Sequence, residues 1–345
     1  MFDGHNDVLS KLASAGPAGA ARRFADDRGA HIDVARAALG GFGGGLFAVW
    51  VPSPGAGDID YAAMSQAWFN VPLPPTVPQP EALSAVIGQV GIFLELAREG
   101  LLAHCRTAGE VQAALAEGRL AAVLHLEGAE AIDRDLATLD VLHAAGLRSL
   151  GPVWSRPNRF GHGVPFRFPS GPDTGPGLTE DGLRLVDRCT ELGILVDVSH
   201  LTEAGFWDIA RRTAKPLVAT HSNAHALTPA ARNLTDGQLS AIGESGGMVG
   251  VNFASAFLRK DGRMLPDVPL DQVIAHIDHL IAVVGEDGVG FGSDYDGALV
   301  PAAIDGVERL PRLRAAMRAH GYDDALMEKL CHRNWLRVLA KVWGA

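Results

Sequence analysis

Apolar residues fall in short unbroken runs along this chain, and most runs end on a polar residue. Leu46-Phe47-Ala48-Val49-Trp50-Val51 follows three glycines and stops at Pro52. Residues 120–128 are apolar through Leu126, broken only by His125, and end on Glu127-Gly128. Residues 148–154 form a shorter run, and residues 193–200, 216–221, 247–253 and 288–294 repeat the pattern. The N-terminal Phe2-Asp3-Gly4-His5-Asn6-Asp7 brings the candidates to eight. Runs without polar alternation suit strands buried on both faces, hence a parallel sheet covered by helices.

Between the runs the apolar period lengthens. Leu83, Val86, Ile87, Val90, Phe93, Leu94 and Leu96 mark a helix over 81–100. Thr107 as N-cap with Glu110 predicts a capping box opening a helix over 107–118. Helices are also expected up to about 145 and over 179–192, 203–213, 236–245, 270–284, 305–320 and 323–343. Eight strand–helix units predict an α/β fold, a (β/α)8 TIM-type barrel forming one domain over 1–345. Loop insertions at about 53–80 and 155–178 hold the excess over ~250 residues. An open doubly wound sheet is the competing fold, but no glycine-rich phosphate fingerprint follows any run.

Composition narrows the partners. With 47% hydrophobic residues a large core is available, and a net charge of −10 argues against nucleic acid and against an anionic membrane. Cys105, Cys189 and Cys331 form neither a CxxC pair nor a disulfide framework, which suggests a reducing compartment. No basic, apolar leader and no stretch of eighteen apolar residues is seen, so a cytoplasmic protein without a membrane span is expected.

The polar strand ends carry the chemistry. His5 and Asp7 end the first run, Glu127 the third, His200 the fifth, His221 the sixth and Asp294 the eighth. On a strand, His5 and Asp7 share a face about 7 Å apart along the backbone. The C-terminal strand ends of a barrel converge, and buried charges need partners, which metal ions supply. Three imidazoles and three carboxylates suit two divalent ions, with zinc favoured by the imidazole content. None of the five lysines sits at a strand end to serve as a carbamylated bridge, so Glu127 is expected to bridge. His5 and Asp7 would then hold one ion, and His200 and His221 the other. His125 shares strand parity with Glu127 and is a candidate for a supporting hydrogen bond.

With these residues in place, the chain resembles the membrane dipeptidase (renal dipeptidase) family of amidohydrolase-like barrels. The matching stretches are Asp3-Gly4-His5-Asn6-Asp7, His125-Leu126-Glu127-Gly128, Asp197-Val198-Ser199-His200, Thr220-His221-Ser222-Asn223, Ala231-Arg232-Asn233-Leu234 and Gly292-Ser293-Asp294-Tyr295-Asp296-Gly297. The resemblance implies a two-zinc dipeptidase in which a metal-bridging hydroxide attacks the peptide carbonyl. It further implies that Arg232 holds the substrate's C-terminal carboxylate and that Asp294 shuttles the proton. A homodimer is implied too, as is tolerance of a D-residue at the C-terminal position of the dipeptide.

Where the family often has a histidine after the fourth strand, this chain has Trp154. Either a metal alone polarises the carbonyl, or His162 from the adjoining loop swings in. The segment around Trp68 and loop 155–177 are expected to shape the pocket for the N-terminal residue. Two alternatives stand beside the dipeptidase: a related amidohydrolase acting on an N-acyl amino acid, lactam or lactone, and a metal-binding scaffold without catalysis.

Overall fold

The computed structural model of the protein describes residues 1–26, 29–54 and 59–344. Eight parallel strands form the barrel: β1 (Phe2–Asn6), β2 (Gly44–Trp50), β3 (Ala121–Glu127), β4 (Leu147–Gly151), β5 (Leu195–Val196), β6 (Val218–Ala219), β7 (Met248–Val251) and β8 (Val289–Phe291). They pair in the order β5-β4-β3-β2-β1-β8-β7-β6. A parallel bridge between Asp197 and Val218 links the two ends and nearly closes the ring. The eight predicted runs are these eight strands, which are largely buried because helices cover the outside and side chains fill the inside. A two-residue strand, Ala103–His104, flanks β3 outside this order.

One end of the barrel is plugged by the C-terminal helix Asn334–Trp343. Trp335 is fully buried and its indole N–H donates to the Phe291 carbonyl at 3.0 Å. A Cβ on Gly4 would sit 2.3 Å from the Trp335 ring, so β1 needs glycine there. A π-helical turn, Lys329–Arg333, precedes the plug. Asn334, following it, donates to the carbonyls of Glu286 and Val289.

The helices lie close to their expected places. Thr107 and Glu110 form the capping box that opens Ala108–Ala116. The helix Gln79–Arg98 is long and apolar enough to cross a membrane by length and composition alone. Its Ala82, Val86, Val90, Phe93 and Leu96 face is nevertheless buried in the barrel's core.

One expectation needs correction, and one stretch carried none. The stretch after β1, to which no element was assigned above, folds as three short helices: Val8–Ser14, Ala20–Ala25 and Val34–Gly40. The two insertions are not plain loops either. Phe69–Asn70 from the first pairs antiparallel with Arg167–Phe168 from the second, and the Phe69 and Phe168 rings stack at 6.2 Å. Pairing across so much chain leaves no local signature.

The loop after β6 is fixed by His276 of the helix Leu270–Val284. Its Nδ1 accepts from the Ala224 N–H at 3.2 Å, and Nε2 lies 3.2 Å from the Leu258 carbonyl. Burial lowers this imidazole to about 4. Since the folded value lies below the ordinary histidine value, the unfolded chain alone binds the proton between pH 6.5 and 4. Stability therefore falls as pH falls through that window. Urea unfolding at pH 7 and pH 5 should show the difference between the two shrink by about 2 kcal/mol in His276→Gln.

Candidate metal centre

The C-terminal ends of the strands carry the polar cluster. His5 lies on β1, and Asp7 follows as the N-cap residue of Val8–Ser14. Glu127 is the last residue of β3. His200 and Asp294 lie just beyond β5 and β8 with φ of 64° and 60°. Left-handed backbone at non-glycine residues is costly and is held only where the surroundings over-determine it.

Sequence expectation and geometry agree closely on which side chains meet. Glu127 presents its two oxygens to different pairs. Oε1 lies 3.0 Å from His200 Nε2 and 3.4 Å from His221 Nε2, while Oε2 lies 3.7 Å from His5 Nε2. His5 Nε2 is in turn 3.3 Å from Asp7 Oδ2. His5, Asp7 and Asp294 form one compact donor group, and His5, Glu127 and His221 a second.

The far nitrogens of two imidazoles are tied down. Ser155 Oγ is 2.9 Å from His200 Nδ1, and Thr220 Oγ1 is 2.8 Å from His221 Nδ1. Both Nε2 atoms consequently face inward, 3.1 Å apart. Such outer partners set the tautomer of ligating histidines. His5 is fully buried, and neither ring nitrogen has a hydrogen-bond partner among the described residues. That is expensive unless a nitrogen coordinates an ion, so the donor set fits divalent metal.

Electrostatics agree with the fit. Burial opposes charge on His5, but Glu127 and Asp7 outweigh it and push the imidazole up to about 10. Burial holds His200 and His221 well below the ordinary histidine value and raises Glu127 well above the ordinary carboxylate value. Burial thus favours neutral groups in the cluster, and divalent ions would offset the carboxylate charge that remains.

Asp294 stands at the edge of the cluster. Its Oδ2 accepts from Asn252 Nδ2 at 2.9 Å, and burial raises its carboxyl. Gly297 packs against it closely: a Cβ there would meet Asp7 Oδ2 at 2.1 Å and Asp294 Oδ1 at 2.7 Å.

Arg232 is buried behind Phe257, whose ring centre is 5.6 Å from the guanidinium carbon. It donates to the His221 carbonyl at 2.9 Å and to Ser222 Oγ at 3.3 Å, and its Nε has no partner among the described residues. The cavity wall is formed by Phe257 rather than by Arg232 itself.

A cavity of about 730 Å³ opens over the cluster, with Asp7, Glu127, His200 and Asp294 in its wall. Trp154 lines it and meets Trp50 at 5.2 Å and Phe166 at 5.6 Å, both edge to face. His162 does not reach this wall. Its Nδ1 lies 3.3 Å from the Gly177 carbonyl, because the loop turns the ring toward 177 rather than toward the cluster. Trp68 is 66% exposed, and Ile59, Tyr61 and Met64 from the same segment line the cavity instead.

Of the supporting residues, the sequence reading offered His125 as a candidate, and the others escaped it. Asp197 accepts from the N–H groups of Ser199 and Thr220 and from the Thr220 hydroxyl, clamping β5 to β6. His125, kept neutral by burial at about 3, lies 2.8 Å from Ser149 Oγ and sets its ring edge on to His5. Behind Trp154, the buried Arg156 pairs with Glu130 at 3.0 Å and bonds Ser53 and the Val51 carbonyl. Asn252 ends the β7 run as the other polar residues end theirs, which was the one available signal.

Comparison with known proteins agrees with this geometry. A family model described as membrane dipeptidase (peptidase family M19) matches residues 1–344. A Rhodobacter sphaeroides metallo peptidase, solved with a phosphinate mimic of the dipeptide L-Ala-D-Ala, is 53% identical with a TM-score of 0.97, covering 99% of both chains. An uncharacterized Klebsiella pneumoniae protein from the pqqA 5′ region is 51% identical over 244 residues, 71% of this chain and 90% of its own. Dipeptidase tcpJ of Claviceps purpurea is 26% identical over 345 residues, 99% of this chain and 76% of its own.

Proposed function

The chain belongs to the membrane dipeptidase family and is a metallo-dipeptidase, and we propose that it works with two zinc ions on small dipeptides, including those with a D-residue at the C-terminal position. One observation carries the two-ion reading: Glu127 turns one oxygen to His200 and His221 and the other toward His5 and Asp7. His5 and Asp7 would hold one ion, His200 and His221 the other, and Glu127 both. When bound, such ions polarise the scissile carbonyl and make a water molecule acidic enough to attack at neutral pH.

The protein's own groups do the rest. Asp294 has Oδ2 fixed by Asn252, which leaves Oδ1 to take the water's proton and pass it to the leaving amine. Its raised carboxyl suits that exchange. Arg232 is a buried guanidinium with no carboxylate in ion-pair range among the described residues, an arrangement that calls for an anionic ligand. The substrate's C-terminal carboxylate meets that need beside Phe257. Trp154, Trp50 and Phe166 exclude water from the far wall.

Arg232→Met should raise KM for dipeptides by about a hundredfold or more, the loss of a charge-assisted pair, with a smaller change in kcat. Steady-state kinetics on a panel of L,L and L,D dipeptides beside N-acyl amino acids tests the whole reading. Turnover of dipeptides in both series supports it, and turnover confined to N-acyl substrates overturns it. We also propose a homodimer, read by light scattering of the purified protein.

A further inference from the structure

The cavity extends beyond the metal cluster. A groove leads outward between the helices Val8–Ser14 and Gln79–Arg98, with Trp50 at its base. Residues Asp7, Ser10, Lys11 and Ser14 share one face of the first helix, while Val8, Leu9 and Leu12 on the other face enter the core. Ser84, Gly88 and Gln89 form the opposite wall. A Cβ on Gly88 would meet nothing within 4 Å, so the groove stays open there. Ser10 Oγ donates to Gln89 Oε1 at 3.1 Å, and Gln89 Nε2 donates to the Trp50 carbonyl at 2.6 Å, which fixes the inner end of the groove.

The position of this groove relates it to one end of the substrate. Arg232 follows β6, and the groove opens beside β1 and β2. In the ring, β2 and β6 lie on opposite sides. A dipeptide whose carboxylate lies at Arg232 therefore carries its N-terminal residue toward the groove.

The charges in the wall are unequal. Asp7, Glu127 and Asp294 belong to the metal cluster, and Asp296 accepts the His31 backbone N–H at 2.7 Å. Lys11 is the only lysine or arginine in the cavity wall among the described residues; its charge is felt by Asp296, whose Oδ2 has no hydrogen-bond partner there, but no carboxylate lies within ion-pair range of its ammonium. Its flexible stem lets the ammonium follow a ligand along the groove.

We propose that Lys11 makes this groove a subsite for an anionic side chain on the N-terminal residue, so that dipeptides beginning with glutamate or aspartate are favoured. The proposal rests on the dipeptidase reading and on the substrate direction given there. The interaction is solvent-exposed, so its effect is moderate and screened by salt.

The test compares kcat/KM for Glu-Ala and Gln-Ala, substrates that differ in charge and hardly in shape. The zinc-loaded enzyme at low ionic strength should favour Glu-Ala by roughly two- to fivefold, mainly through KM, and the ratio should shrink on adding salt. Lys11→Met should bring the ratio near one, and Lys11→Glu should invert it. Cleavage without a preference for Glu-Ala, or a preference that survives in Lys11→Met, overturns the subsite alone. Failure to cleave any dipeptide overturns the dipeptidase reading and the subsite with it.

Discussion

Glu127→Ala should abolish measurable dipeptide hydrolysis, a loss on the order of a thousandfold or more, and should lower bound metal below two ions per chain. The reason is geometric. Glu127 faces both donor pairs, at 3.0 and 3.4 Å from His200 and His221 and 3.7 Å from His5. Without it, three imidazoles crowd one another, with the His5 and His221 rings stacked at 3.8 Å and nothing anionic between the pairs. Elemental analysis and turnover measured on one preparation check both parts. Two ions retained with full activity would show that the carboxylate is dispensable.

Asp294→Asn should separate catalysis from metal binding. Asparagine keeps the shape and can still accept from Asn252 through its carbonyl oxygen, so the cluster stays assembled. It cannot take up the proton, and kcat should fall by about a hundred- to ten-thousandfold. Metal content should stay near two per chain. The pH profile should also change, because the group whose deprotonation governs the acid side is gone. A kcat within a few fold of the parent would assign the proton to another group.

The strand ends were legible because each metal-type residue closes an apolar run, a pattern that survives whatever the loops do. His5, Glu127, His200 and His221 were found that way, and the geometry brings them together. Their supports were harder to see. Ser155, Thr220 and Asn252 are neutral and common, and they matter only through the hydrogen bonds they make in the folded chain. Nor does sequence reveal that His200 and Asp294 sit in left-handed backbone, since neither is glycine. His162 is near Trp154 along the chain, but its ring lies at the Gly177 carbonyl outside the cavity wall, a placement that chain distance alone does not reveal. The Phe69–Phe168 ribbon stayed hidden because each of its strands is two residues long. The buried Arg156–Glu130 pair reads in sequence as two ordinary surface charges, yet it anchors the wall behind Trp154.

The central claim is that two ions flank one carboxylate. Crystals of the zinc-loaded protein, measured at the zinc absorption edge, test it most directly. The account predicts two anomalous peaks, one between Glu127 and the His5–Asp7 pair and one between Glu127 and the His200–His221 pair. A single peak, or two peaks with Glu127 bound to only one, would contradict it.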